Sequence, residues 1–109
     1  MNSLRYDMLI LTTSDDGKPD GEVELAFSVD GIALPRVGDD LYFTAADGLV
    51  VEVTKVEHWF NPNAPDVTQH RSITVVANAH WSSREVVQKL KDPAALKVWL
   101  AEFPWLRER

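Results

Sequence analysis

Apolar and polar positions alternate along most of the first 81 residues. From Leu4 to Thr13 the even positions Leu4, Tyr6, Met8 and Ile10 are apolar, the mark of a strand with one buried face. Leu9 and Leu11 are apolar too, which predicts cover on both faces toward the far end of this strand. Ser14 to Gly21 is a run of loop formers, and behind it Val23, Leu25, Phe27 and Val29 alternate with Glu22, Glu24, Ala26 and Ser28. Asp30-Gly31 ends that strand.

Pro35-Arg36-Val37-Gly38-Asp39-Asp40 is a second turn region and leads into a short strand at Leu41–Thr44. Asp47-Gly48 stands between two β-rich runs, a strong hairpin signal. The run that follows, Leu49 to Phe60, changes phase. Leu49, Val51 and Val53 are odd, whereas Val56, His58 and Phe60 are even. A strand cannot swap faces without an extra residue, so a bulge is predicted near Thr54-Lys55, and with it a bend of the sheet. Asn61 to Arg71 is a long loop without apolar period. Ser72 to Trp81 reads as a further strand, with Ile73, Val75, Ala77, Ala79 and Trp81 on one face.

Period two stops at Trp81. Ser82-Ser83-Arg84-Glu85 fits a capping box with Ser82 as N-cap, and Trp81 with Val86 fits a hydrophobic staple across it. That helix is expected to end near Lys91. Asp92-Pro93 then starts a second one, with Pro93 in the first turn where its missing N–H is not needed. Leu96, Trp99, Leu100 and Phe103 make its apolar stripe, and Pro104 stops it. The fold class expected is α+β. It comprises about five short, mostly antiparallel strands in a strongly bent sheet or small barrel, followed by two short C-terminal helices. Strands fall within residues 4–81 and helices within 82–103 of a single domain spanning 1–109. The Pro-x-x-Gly-Asp turn at Pro35–Asp39, the short strand, the Asp-Gly hairpin and the kinked long strand resemble, over about residues 30–81, the order of elements in an SH3-like small barrel. That likeness is architectural and implies no function.

Bulk properties narrow the class. The chain has 109 residues with 45% hydrophobic and 26% charged side chains, ordinary globular material. By area scaling, folding would reduce roughly 18,000 Å² of accessible surface to roughly 6,000 Å². Cysteine is absent, which removes disulfides, thiolate metal sites and a cysteine nucleophile, and favours a reducing, cytoplasmic setting. No signal-peptide pattern opens the sequence, and no apolar run is long enough for a membrane span. The net charge is −6. Residues 1–83 hold 5 basic and 13 acidic side chains, whereas residues 84–109 hold 6 and 4. An acidic body repels nucleic acid and anionic membranes. Nucleic-acid binding through Arg84, Lys89, Lys91 and Lys97 is therefore disfavoured.

Candidate chemistry is sparse. His58 and His80 both precede a tryptophan, which invites a shared metal site. Pairing the two strands around loop 61–71 makes opposite residues sum to about 132, which sets His80 against Glu52, about 20 Å along the strand from His58. That is too far for common ligation, and His58, His70 and Asp66 at the loop end show no metal spacing. The acidic turn Asp15–Glu22 lacks calcium-loop spacing, with Lys18 at position 3 and Phe27 at position 12 counted from Asp16. Asp39 and Asp40 are adjacent on a strand and point to opposite faces, so they are no catalytic dyad. No nucleophile elbow or phosphate loop occurs. The expectation leans to a non-enzyme without metal or cofactor.

Aromatic residues are the more suggestive feature. Trp59, Phe60, Trp81, Trp99, Phe103 and Trp105 crowd the second half. Trp99 and Phe103 are expected to pack on the sheet as core, while Trp59, out of phase with its neighbours, and Trp105, beyond the helix stop, are the candidates for an exposed surface. The leading functional expectation is a protein-interaction domain, with another protein or a second copy of itself as partner. A small-molecule site or minor enzyme where loop 61–71 meets the sheet, using His58, Trp59, His70 and Arg71, is the alternative.

Overall fold

The alternating segments form one sheet. The computed structural model describes residues 4–13, 19–31, 33–45, 48–66 and 70–109. Its strands are β1 (Leu4–Thr13), β2 (Pro19–Gly31), β3 (Asp40–Phe43), β4 (Leu49–Phe60), β5 (Arg71–Ala79) and β6 (Leu106–Glu108). A 3₁₀ turn at Trp81–Ser83 leads into α1 (Arg84–Leu90), and α2 (Pro93–Leu100) follows. The strand order is β3-β4-β5-β1-β2-β6. Neighbours are antiparallel except β1 and β5, which run parallel and join the β1–β2 hairpin to the β3–β4–β5 meander.

The buried faces are those the alternation assigns. Tyr6, Met8 and Ile10 lie beside Val29, Phe27 and Leu25 on one flank and, from Met8 onward, Val75 and Ala77 on the other. All belong to the core together with Val51, Val53, Val87, Leu90, Leu96 and Trp99. The helices therefore cover this face. Leu9 and Leu11, on the opposite face, are half-buried rather than enclosed. The turn at 14–18 and Asp47 of the predicted hairpin lie outside the described residues, but Gly48 has φ of 73° and its N–H bonds to the Ala45 carbonyl, as a tight turn requires.

The phase change in β4 is a bulge. The β4–β5 register shifts between Val53 and Lys55, so Val53 faces Ala77 while Val56 faces Val75. The sheet is strongly curled, a half-barrel. Its curl shows in the aromatic rings. Phe43 of edge strand β3 and Phe27 of β2, near the other edge, both touch Trp99, at 5.6 and 5.7 Å between centroids. Phe103 and Trp105 also pack on Phe43, so C-terminal aromatics fill the seam between the two edges.

Several details depart from expectation. The sheet has six strands, because Leu106–Glu108 pairs with Phe27–Val29 as β6. Three residues are too few to show a period. Strand β5 stops at Ala79, and the helical region opens at Trp81, two residues earlier than a capping box with Ser82 as N-cap implies. The His80 side chain, not that of Ser82, caps the 3₁₀ turn by accepting the Ser82 N–H, and Ser83 is the N-cap of α1. Trp81 is 74% exposed, so it staples nothing. Asp92 is the N-cap of α2 as read, and Leu96 and Trp99 are buried, but the helix ends at Leu100 rather than Phe103. The pairing sum of β4 and β5 is 130 to 131, and the His80 N–H bonds the Val50 carbonyl, which places His80 two residues farther from His58 than expected.

Candidate interaction surface

Strand β4 is longer than the partner on its outer edge. Strand β3 pairs only with Leu49–Glu52, and the chain just before it adds two bonds at Val53, through Asp39 and Gly38. Gly38 has φ of 94° with open space around it, which turns the chain away from β4 at this point. From Lys55 to Phe60, among the described residues, β4 is paired on the β5 side alone. This half of the β4–β5 hairpin forms an arm with one open backbone edge.

The arm gathers four of the residues singled out in the sequence or next to them. His58 faces Ile73, Trp59 faces Ser72 and Phe60 faces Arg71. His58 and Arg71 are exposed, while Trp59 and Phe60 are 48% and 70% exposed. The Arg71 guanidinium lies 5.9 Å from the centre of the Phe60 ring, within cation–π range. Lys55 and Glu57 form an ion pair on the same face as Trp59. The strand thus presents an apolar tip beside backbone groups that no strand among the described residues pairs.

His70 has a different place. Its Nε2–H donates to the Ala64 carbonyl at 2.9 Å, and its own carbonyl accepts the Asn61 N–H at 2.6 Å. Both bonds fold the loop back on itself. The hollow at this loop is lined by Phe60, Asn61, Pro62, Asn63 and Ala64, without His58, Trp59, His70 or Arg71. Trp105 is 43% exposed, as expected of a residue beyond the helix stop, while one side of its ring stacks on Phe43 at 6.3 Å in the seam and its carbonyl accepts the Asp30 N–H. The exposed Trp81, beside the His80 ring at 5.5 Å, is an aromatic that the alternation assigns to the core face. Only the early end of β5 could have revealed it.

The titratable groups with shifted pKa values have structural causes. Burial raises the Tyr6 phenol. Hydrogen bonds from Arg5 and then Arg107 hold the Asp30 carboxyl below the ordinary carboxylate range. Among the described residues, no three His, Cys, Asp or Glu side chains are grouped to hold a metal ion. Among the same residues, no helix is long and apolar enough to cross a membrane. Of the cations proposed for nucleic acid, Lys91 is paired with Glu24. No family model, curated protein or solved structure matches the chain.

Proposed function

We propose that this chain is a small cytoplasmic, non-enzymatic protein-interaction domain on an SH3-like half-barrel, which docks partners by strand addition along the open edge of β4. The observation that carries this reading is the placement of exposed Trp59 and Phe60 on a strand whose outer backbone groups, from Lys55 onward, meet no neighbouring strand among the described residues. Such an edge pairs readily with another extended segment, and native proteins usually blunt it. Aromatic side chains flanking it supply the apolar contact on which interfaces depend. The absence of cysteine supports the cytoplasmic assignment.

A second copy of the chain is the partner to test first, because it needs no other protein. Sedimentation velocity from about 5 to 500 µM should show a concentration-dependent dimer. Added salt should strengthen it by screening the like charge of the two copies. Trp59→Ser and Phe60→Ser should each weaken it by about tenfold or more while leaving in place the urea midpoint read at a concentration where the chain is monomeric. A monomer at every concentration, whatever stands at positions 59 and 60, would sink the self-association proposal.

A further inference from the structure

Backbone groups along β4 alternate in direction, and one bond fixes which of them face the open edge. The Asn61 N–H donates to the His70 carbonyl just beyond the β4–β5 ladder, whose register is unbroken from Lys55 to Phe60. The odd positions Lys55, Glu57 and Trp59 therefore turn their backbone groups toward β5. The even positions Val56, His58 and Phe60 turn theirs outward, where no strand among the described residues meets them. This stretch is bounded at both ends. At one end Gly38 and Asp39 already bond both backbone groups of Val53. At the other stands Pro62, which has no N–H to continue a ladder.

The same three positions describe what can occupy the edge. Half-buried Val56 and exposed Phe60 flank His58 on the face shared with Ile73 and Val75, so the order apolar, histidine, apolar reads alike in both directions. The charged side chains of the edge, Lys55 and Glu57, are paired with each other. A charged peptide finds nothing there to match, and two copies of an acidic chain meet there without a local clash of charge. The extended segment that fits the edge in length, backbone phase and apolar placement is thus the same segment of a second copy. Only one antiparallel register uses every outward group: His58 opposite the partner's His58, and Val56 opposite the partner's Phe60. A slip of two residues one way sets Phe60 against the partner's Thr54, in the bulge beside the occupied Val53. A slip the other way sets Val56 against the partner's Pro62.

We propose that two copies of the chain join through β4 in this register, with His58 on the two-fold axis, and that their sheets become one continuous sheet. The pairing rests on the strand-addition reading of the edge and gives it a partner and a register. It is isologous and closes on itself, leaving no β4 edge for a third copy.

The chain has no cysteine, so single substitutions report the register. Opposite residues of a hydrogen-bonded antiparallel pair have Cα atoms ~5.5 Å apart, inside the roughly 4.4–6.8 Å of a disulfide. Full-length His58→Cys in a glutathione redox buffer, at a concentration where the native chain sediments as a dimer, should form an interchain disulfide. Val56→Cys and Phe60→Cys should each cross-link to themselves at least ~tenfold more slowly, because like positions lie about 14 Å apart. Their equimolar mixture should cross-link readily. In the native chain, amide exchange at Val56, His58 and Phe60 should slow about tenfold between about 5 and 500 µM, while Glu57 and Trp59, turned toward β5, change far less. A chain that dimerises while His58→Cys fails to cross-link, or while Val56→Cys couples to itself as fast, overturns the register and leaves strand addition standing. Dimerisation without slowed exchange at the three even amides puts the contact elsewhere and overturns both. A monomer at every concentration overturns the pairing and leaves the edge to a strand of another protein.

Discussion

Ser83 Oγ accepts the backbone N–H of Val50 at 3.0 Å, across 33 residues of chain. The Val50 carbonyl accepts the His80 N–H at 2.8 Å, so both backbone groups of one β4 residue are held by the segment that opens the helices. Ser83 is 3% exposed. Ser83→Ala would leave the Val50 donor unpaired where water reaches it poorly. The expected loss is about 1–2 kcal/mol, a fall in Tm of roughly 4–8 °C per kcal/mol for a domain near this size. Urea denaturation of the two proteins measures it. An unchanged midpoint would mean that water replaces the hydroxyl without loss.

Glu24 and Lys91 form a second tie between sheet and helices, and the two sides of it are not equivalent. In β2 the register moves from Leu25 opposite Ile10 to Val23 opposite Leu11, which leaves Glu24 as the extra residue of a bulge. The bulge turns its carboxylate to the helix side, where Oε2 meets Lys91 and Oε1 accepts the Thr12 hydroxyl. The Glu24 side chain is 10% exposed and that of Lys91 is 42% exposed. Lys91→Met therefore strands a poorly hydrated carboxylate and should cost about 1–3 kcal/mol. Glu24→Gln keeps the Thr12 contact and lets Lys91 turn to water, so its cost should stay below about 1 kcal/mol. The order of the two denaturation midpoints is the measurement, and the reverse order contradicts this account.

Strand faces were legible in the sequence because a period of two needs only local chemistry. Met8, Phe27 and Val75 are buried where the alternation puts them, and the phase change at Thr54-Lys55 marks the bulge. The second helix was legible for a similar reason, since Asp92-Pro93 and the stripe at Leu96 and Trp99 act within a few residues. The first helix start was not. Ser82 and Glu85 have the spacing of a capping box, yet the chain tightens into a 3₁₀ turn capped by the His80 ring, a competitor the pattern does not include. Strand β6 is tertiary: Leu106–Glu108 become a strand only because the edge of β2 lies beside them. His58, Trp59, Phe60 and Arg71 could be placed near one another from the hairpin alone. The open edge depends on where Gly38 turns the preceding chain, so it could not be read from spacing.

Phe43 is the side chain on which the seam turns. It is 5% exposed and touches the rings of Trp99, Phe103 and Trp105. Phe43→Ala removes the part of β3 that meets the C-terminal aromatics and should cost about 3–4 kcal/mol. Phe43→Leu keeps most of the volume and should cost nearer 1–1.5 kcal/mol. The near-ultraviolet dichroism of the alanine variant should also weaken, because Trp99 and Trp105 lose a fixed neighbour. A stable alanine variant with unchanged aromatic dichroism would show that the seam does not hold the half-barrel closed.

Asp30 gives the fold an acid-sensitive joint. Its Oδ1 accepts Arg5 Nε–H at 3.1 Å and its Oδ2 accepts Arg107 Nη2–H at 2.7 Å, so one carboxylate links β1, β2 and β6. Hydrogen bonds from Arg5, then Arg107, lower its pKa in the folded chain. The folded state therefore binds the Asp30 proton less readily than the unfolded state does. The resulting stability is complete above the unfolded carboxyl value of about 3.9 and is lost as pH falls from there through the lower folded value. Asp30→Asn should destabilise the domain at pH 7, and the gap to the native sequence should narrow steadily below about pH 4. Because the pairs are exposed, salt should also shrink the gap at pH 7. Amide exchange at Arg109, whose N–H bonds the Ala26 carbonyl, should quicken in the same variant as β6 loosens. Urea midpoints of both proteins across this range decide the matter: a gap of the same size at pH 7 and in strong acid would mean that the ionised carboxylate contributes nothing to holding β6 in place.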